Sequence, residues 1–268
     1  MTRLDVRSRE YKVMLLPEPF AGDETKLHES AGRFWDEARG VLEPLDIPTE
    51  GAFDEVKARR RIRFLDSAEH TLNGQRYVFR ERINVESSER QVTLKYRHVD
   101  RYVASDRDMD AADEGKAETK FEEDVKPPFV SVFSYSTTVE VDDDVHVSRL
   151  GDVFQLFPGL ERELNDPEDF ELADVGFAAR ELVLVGATLL LGKRDVEAEC
   201  AMVFWHTGSD GDAVTPACVE FSFKYGDDEE DYRGSVARDA HDVLKALSDQ
   251  LPKWVHPTPV TKTALVYG

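Results

Sequence analysis

Six stretches of the chain set charged or hydroxyl side chains at every second position, with mostly apolar ones between them. They are Ser8-Arg9-Glu10-Tyr11-Lys12, Arg61-Ile62-Arg63, Arg80-Glu81-Arg82, Thr93-Leu94-Lys95-Tyr96-Arg97, Lys120-Phe121-Glu122-Glu123-Asp124 and Glu220-Phe221-Ser222-Phe223-Lys224. A period of two belongs to a β-strand with unlike faces, so each stretch presents a charged row on one side and a largely apolar row on the other. Several rows carry Arg or Lys beside Glu. If the rows converge, they enclose a cation-lined cavity that also contains carboxylates, which is the chemistry of a polyphosphate held with a divalent metal.

The background makes those cations informative. With Lys and Arg numbering 34 against 55 Asp and Glu, the formal net charge is −21. No basic footprint for nucleic acid or an anionic membrane is expected, so an anion site must be locally enclosed. No run approaches the roughly 18 apolar residues of a membrane-spanning helix, and the first ten residues lack the apolar segment of a secretory signal. A cytoplasmic protein is the expectation. Cys200 and Cys218 read as reduced core thiols, and the 7 histidines show no metal-ligand spacing.

Along the chain, residues 10–16 predict a strand ended by Pro17 and Pro19. Leu27, Ala31, Phe34, Trp35, Ala38, Val41 and Leu42 then recur at helical spacing, with Asp23 as N-cap and Pro44 closing the segment. A short helix is expected over 53–59, running into a strand at 60–66. A β-meander follows, with a turn at Asn73-Gly74, strands at 76–85 and 91–99, and a turn at Ser87-Ser88. Asp106, Asp108 and Asp110 resemble part of a calcium loop, but Ala111 and Ala117 occupy positions that need Gly and Glu, so 104–117 reads as a solvated loop. Further strands are expected at 119–125, 129–141, 178–191, 195–206 and 217–225. A helical excursion is expected over 152–164, a hairpin turn at 208–211, and a last helix from Ser235 to Pro252. The pattern predicts one α+β domain spanning 1–268, dominated by strands with helices packed around them.

Arg63-Phe64-Leu65-Asp66-Ser67, Leu72, Phe79-Arg80-Glu81-Arg82 and Thr93-Leu94-Lys95 together resemble the CYTH or triphosphate tunnel metalloenzyme family. Its core reads aromatic-x-Asp-Thr, Leu, Leu-Arg-x-Arg, Thr-Leu-Lys in that order. The resemblance implies an antiparallel eight-stranded β tunnel that binds a triphosphate or nucleoside triphosphate with Mg²⁺ or Mn²⁺; a monomer or homodimer is expected. It also makes Arg180 a tunnel residue and Glu220 an acidic residue of a late strand. Two positions depart from the family pattern. Ser8 stands where the Glu-x-Glu-x-Lys hallmark begins, leaving Glu10 and Lys12, and Ser222 stands where many relatives carry a second late Glu.

The residue types agree with that implication. Arg donates two parallel hydrogen bonds and never loses its charge, whereas Lys supplies a point charge. Lys12, Arg61, Arg63, Arg80, Arg82, Lys95, Arg97, Arg180 and Lys224 are the candidate phosphate-binding residues. Glu10, Glu122, Asp124 and Glu220 are the candidate metal ligands, and Glu10, Lys12 and Arg82 the candidate catalytic residues. Alternation from Lys120 sends Glu122 and Asp124 inward and Glu123 outward. The expected reaction is metal-dependent hydrolysis of inorganic triphosphate or a small organic triphosphate. Two alternatives stay open: an adenylyl cyclase, in which the ribose hydroxyl attacks the α-phosphate, and a non-catalytic polyphosphate- or nucleotide-binding protein.

Overall fold

The alternating segments do become strands, and nine of them close into a barrel. The computed structural model describes residues 4–164, 168–194, 196–208, 215–258 and 260–268; residues 209–211 of the expected hairpin turn at 208–211 lie outside them. Its strands are β1 (Ser8–Leu15), β2 (Thr49–Glu50), β3 (Glu55–Asp66), β4 (Tyr77–Asn84), β5 (Arg90–His98), β6 (Ala117–Lys126), β7 (Val130–Glu140), β8 (Ala173–Asp174), β9 (Ala179–Val185), β10 (Thr188–Leu191), β11 (Val196–His206) and β12 (Cys218–Gly226). Its helices are α1 (Glu24–Leu42), α2 (Thr71–Gly74), α3 (Arg101–Ser105), α4 (Leu150–Leu156), α5 (Pro158–Leu164), α6 (Gly234–Gln250) and α7 (Lys262–Tyr267).

Around the barrel the order is β1, β6, β7, β5, β4, β3, β9, β11, β12 and back to β1. β1 and β6 run parallel and the other neighbours antiparallel. The expected antiparallel eight-stranded tunnel is thus corrected to nine strands of mixed direction. A ring with an odd number of strands cannot alternate direction all the way round, so one parallel pair is required. β10 and β2 extend the sheet beyond β11, and β8 pairs with β3.

Two local expectations fail for tertiary reasons. Residues 55–59 extend β3 instead of forming a helix, because Val56 and Ala58 pair with Leu184 and Val183 of β9 across a bulge. The strand expected at 178–191 breaks into β9 and β10 at Gly186, whose φ is 109°. A Cβ there would lie 2.4 Å from the carbonyl oxygen of Ala52, so only glycine fits. Asn73-Gly74 belongs to the single-turn helix α2 and not to a hairpin turn. Buried Asp66 caps that turn, Oδ1 accepting from the backbone N–H of Ser67 and Leu72 at 2.8 and 2.9 Å.

Helices cover the outside of the barrel on two sides. The stripe of α1, capped by Asp23 accepting from Lys26 N at 3.0 Å, packs with α6 over the outer residues Tyr11, Val13, Met202, Phe204, Phe221 and Phe223. Leu150, Val153, Phe157 and Leu160 of the α4–α5 segment cover Phe79, Val92, Leu94 and Phe121. A third apolar cluster, including Met14, Ile62, Phe64, Val78, Val203 and Trp205, lines one arc of the barrel's interior and takes in Val266 of α7. Among the described residues no helix is long and apolar enough to cross a membrane. Cys200 and Cys218 are buried and unbridged.

Candidate functional site

Residues opposite one another on neighbouring strands share a face, so the register fixes what the barrel encloses. Glu10 pairs with Lys224, Lys12 with Ser222 and Met14 with Glu220. On the parallel side Ser8 lies opposite Glu122, and Glu10 opposite Asp124. Arg80 pairs with Thr93, Arg82 with Gln91, and Lys95 with Ser136, while Arg97 and Glu122 both lie opposite Ser134. One face therefore brings together Glu10, Lys12, Arg80, Arg82, Lys95, Arg97, Glu122, Asp124, Glu220 and Lys224. Glu123 points out to Arg9, whose Nε donates to it at 2.6 Å.

Within the barrel each of these carboxylates meets a cation, and two of them share one. Lys12 Nζ lies 2.9 Å from Glu10 Oε2 and 2.8 Å from Asp124 Oδ1, and Ser134 Oγ donates to the other Asp124 oxygen at 2.9 Å. Glu122 Oε1 accepts from Ser8 Oγ at 2.8 Å and from Lys224 Nζ at 2.7 Å. Glu220 Oε1 lies 2.8 Å from Lys262 Nζ. Glu181 accepts from Trp205 Nε1 at 2.9 Å and from Arg60 at 3.0 Å.

Four of these groups are shifted by their neighbours. Burial alone would raise Glu122, but Lys95 and Lys224 outweigh it and carry its pKa down to about 2. Burial also works against Glu181, yet Arg82 and Lys262 bring it to about 2. Asp124 is held well below the usual carboxylate range by Lys12, Lys95 and Arg97 against the same burial effect. Burial would lower Lys12, but Asp124, Glu10 and Glu220 raise it above an ordinary lysine.

Three cations are left over. Arg80 makes one long hydrogen bond, from Nη2 to Thr93 Oγ1 at 3.4 Å, and the buried Nε atoms of Arg80 and Arg82 have no hydrogen-bond partner among the described residues. Neither they nor Lys95 form an ion pair with a described carboxylate. Burial lowers Arg80 well below its ordinary value, and Arg82 as well. It pushes Lys95 down to about 7, with Arg97 and Lys12 adding repulsion against the pull of Asp124. Charge held partly away from water without an ion-pair contact is costly, and an arriving anion offsets that cost. All three line one cavity of about 1190 Å³ together with Lys12, Arg97, Asp124, Glu220 and Lys262.

Arg61, Arg63 and Arg180 are not part of this assembly. Arg61 pairs with Ile83 and Arg180 on the outer face, opposite to the inward Arg60 and Ile62. Arg63 also faces out, bonded to Glu81 and 3.3 Å from Asp174. The reason is the apolar interior arc: along β3 the oily residues Ile62 and Phe64 point inward, inverting the rule followed by the other charged strands. Arg60, Glu181, Trp205 and Lys262 contribute to the interior without having been anticipated. Arg60 was hidden in the run Arg59-Arg60-Arg61, where only the strand register distinguishes inside from outside.

The divalent metal that the resemblance implies meets a poor fit. Among the described residues no three His, Cys, Asp or Glu side chains come together as a cation-binding group. Each carboxylate named for that role is occupied by a lysine, and the first position of the hallmark, Ser8, is a donor to Glu122. Hard cations need several oxygen ligands, and this set does not supply them.

No protein-family model and no curated protein matches the chain. Among solved structures it is similar to a Hippeastrum protein assigned as an adenylyl cyclase and described as having a dominant triphosphatase activity, at 13% identity, with 97% of this chain and 95% of that chain covered and a TM-score of 0.45. A Bacillus halodurans protein assigned as an adenylate cyclase is 12% identical over 100% of both chains, with a TM-score of 0.42. One from Vibrio parahaemolyticus, assigned likewise, is 10% identical over 98% and 99%, with a TM-score of 0.35. Likeness this distant assigns no activity, and the chemistry of the barrel itself has to decide.

Proposed function

We propose that the barrel binds an inorganic triphosphate, or the triphosphate end of a small organic molecule, and hydrolyses its terminal phosphoryl group. The observation that carries this reading is the set of half-buried cations, Arg80, Arg82 and Lys95, that face one cavity without an ion-pair partner among the described residues. A polyphosphate presents several charged oxygens along a flexible chain, so it can meet all three cations together where a single carboxylate could not. Charge developing on the transferred phosphoryl group would be stabilised by the same side chains, and the low-dielectric walls strengthen that effect. Lys12, fixed between Glu10 and Asp124, supplies a further placed ammonium at the cavity wall.

A second reading is favoured by a specific observation. Glu10, Glu122, Asp124, Glu181 and Glu220 are all engaged by cations, so none of these interior carboxylates is free to take a proton from attacking water. A protein that holds triphosphate without turning it over fits that arrangement. The experiment that separates the two is phosphate release from triphosphate, ATP and thiamine triphosphate, with Mg²⁺, Mn²⁺ or chelator, while cyclic nucleotide is measured in parallel. Phosphate release supports the hydrolase. Tight binding with no product under any condition supports the binding protein.

A further inference from the structure

Lys262 belongs to none of the alternating stretches, yet it reaches the barrel interior from the last helix. Thr261 caps α7 by accepting from Ala264 N at 3.1 Å, and Val266 anchors the helix in the inner apolar cluster. Arg97 donates to Thr263 Oγ1 at 3.3 Å, and the Tyr267 hydroxyl donates to Asp66 Oδ2 at 3.4 Å. Held at these points, the segment brings Lys262 Nζ to 2.8 Å from Glu220 Oε1 and 5.5 Å from the centre of the Trp205 ring. Glu220 itself is only 4% exposed.

Glu220 is one of the carboxylates that the resemblance gives to a metal, and here an ammonium occupies it. The same holds for Glu10 and Asp124, which share Lys12, and for Glu122, which holds Lys224. A metal entering at Glu220 would have to displace the ammonium of Lys262. It would then find no second and third carboxylate grouped with the first among the described residues. An ammonium has three donors, so one bond to Glu220 leaves others for an incoming oxygen. Resting on the triphosphate reading, we propose that Lys262 stands in for the divalent cation: it keeps Glu220 neutralised, contacts a phosphate oxygen directly, and lets the anion bind without metal.

Calorimetry with inorganic triphosphate tests this on the whole chain, in chelator and in Mg²⁺. Wild type is expected to bind in chelator, with an affinity within about fivefold of that in Mg²⁺. Lys262→Gln is expected to weaken binding in chelator by about tenfold or more, the loss of one charge-assisted contact, while Lys262→Arg retains most of it. Melting curves of both variants show whether the fold is kept, and the Arg variant keeps the test decisive if the Gln variant unfolds. Binding only in Mg²⁺, or unchanged affinity in folded Lys262→Gln, overturns the proposal and leaves the triphosphate reading standing. No binding under either condition overturns both.

Discussion

Lys95 offers the sharpest test of desolvated charge held outside any ion pair among the described residues. Its pKa falls from the ordinary 10.5 to about 7, burial being the first cause. At about 1.4 kcal/mol for each pH unit, the drop bounds the cost of keeping Lys95 charged in the empty barrel at roughly 5 kcal/mol. The folded value lies below the unfolded one, so between about pH 7 and pH 10.5 the unfolded chain holds a proton that the folded chain has released. That cost is therefore fully present below about pH 7 and is relieved as the pH rises, making the empty protein more stable across that window. A triphosphate beside Lys95 restores its charge, so binding above pH 7 takes up a proton, and affinity should fall by up to about tenfold per pH unit from this side chain alone. Lys95→Met removes that contribution while approximately keeping the volume. Calorimetry of both proteins from about pH 6 to about pH 9, in buffers of different ionisation enthalpy, cancels the ligand's own titration in the comparison. Wild type should show the additional pH slope and proton uptake, and Lys95→Met should bind more weakly near pH 6 and lose both. Identical slopes in the two proteins would refute the reasoning.

Arg82→Ala should lower triphosphate affinity by roughly 30-fold or more, the usual cost of removing one partner of a buried charge contact, while the melting temperature of the empty protein holds or rises; unchanged affinity in calorimetry would contradict its role. Arg63→Ala, on the outer face, should leave triphosphate affinity within about twofold of wild type and reduce stability by about 1–3 kcal/mol through the loss of the Glu81 contact, read by urea unfolding. Ser8→Glu places a second carboxylate beside Glu122, adding negative charge to a group that Lys224 and Lys95 already compensate, so triphosphate binding or turnover in Mg²⁺ should begin to differ from that in chelator; equal values in both would show that no cation site had been created. Phe221→Ala, fully buried under α1, should cost about 3–5 kcal/mol in the same unfolding assay.

The interior was legible wherever alternation had a clear oily side. Tyr11, Phe121, Phe221 and Phe223 pack outward, so Glu10, Lys12, Glu122, Asp124, Glu220 and Lys224 had to face inward. β3 was misread because its inner face is the apolar one, a property of the neighbouring β9 and β11 that β3's own residues do not reveal. The ninth strand and the parallel β1–β6 pair follow from ring closure, which no single segment encodes. Lys262 lay beyond any alternating strand, in a six-residue helix whose anchors at Glu220, Asp66 and Arg97 are remote in sequence. The helices α1 and α6 were readable because each carries one continuous buried stripe and a recognisable end.

The central claim, that Arg80, Arg82 and Lys95 form an anion site inside the barrel, is tested most directly by a crystal structure of the chain grown with inorganic triphosphate. The anion is predicted inside the barrel, with its oxygens within hydrogen-bond distance of Arg80, Arg82 and Lys95. A triphosphate bound instead to the outer cations Arg61 and Arg180, or an interior left without anion at saturating ligand, would contradict the account.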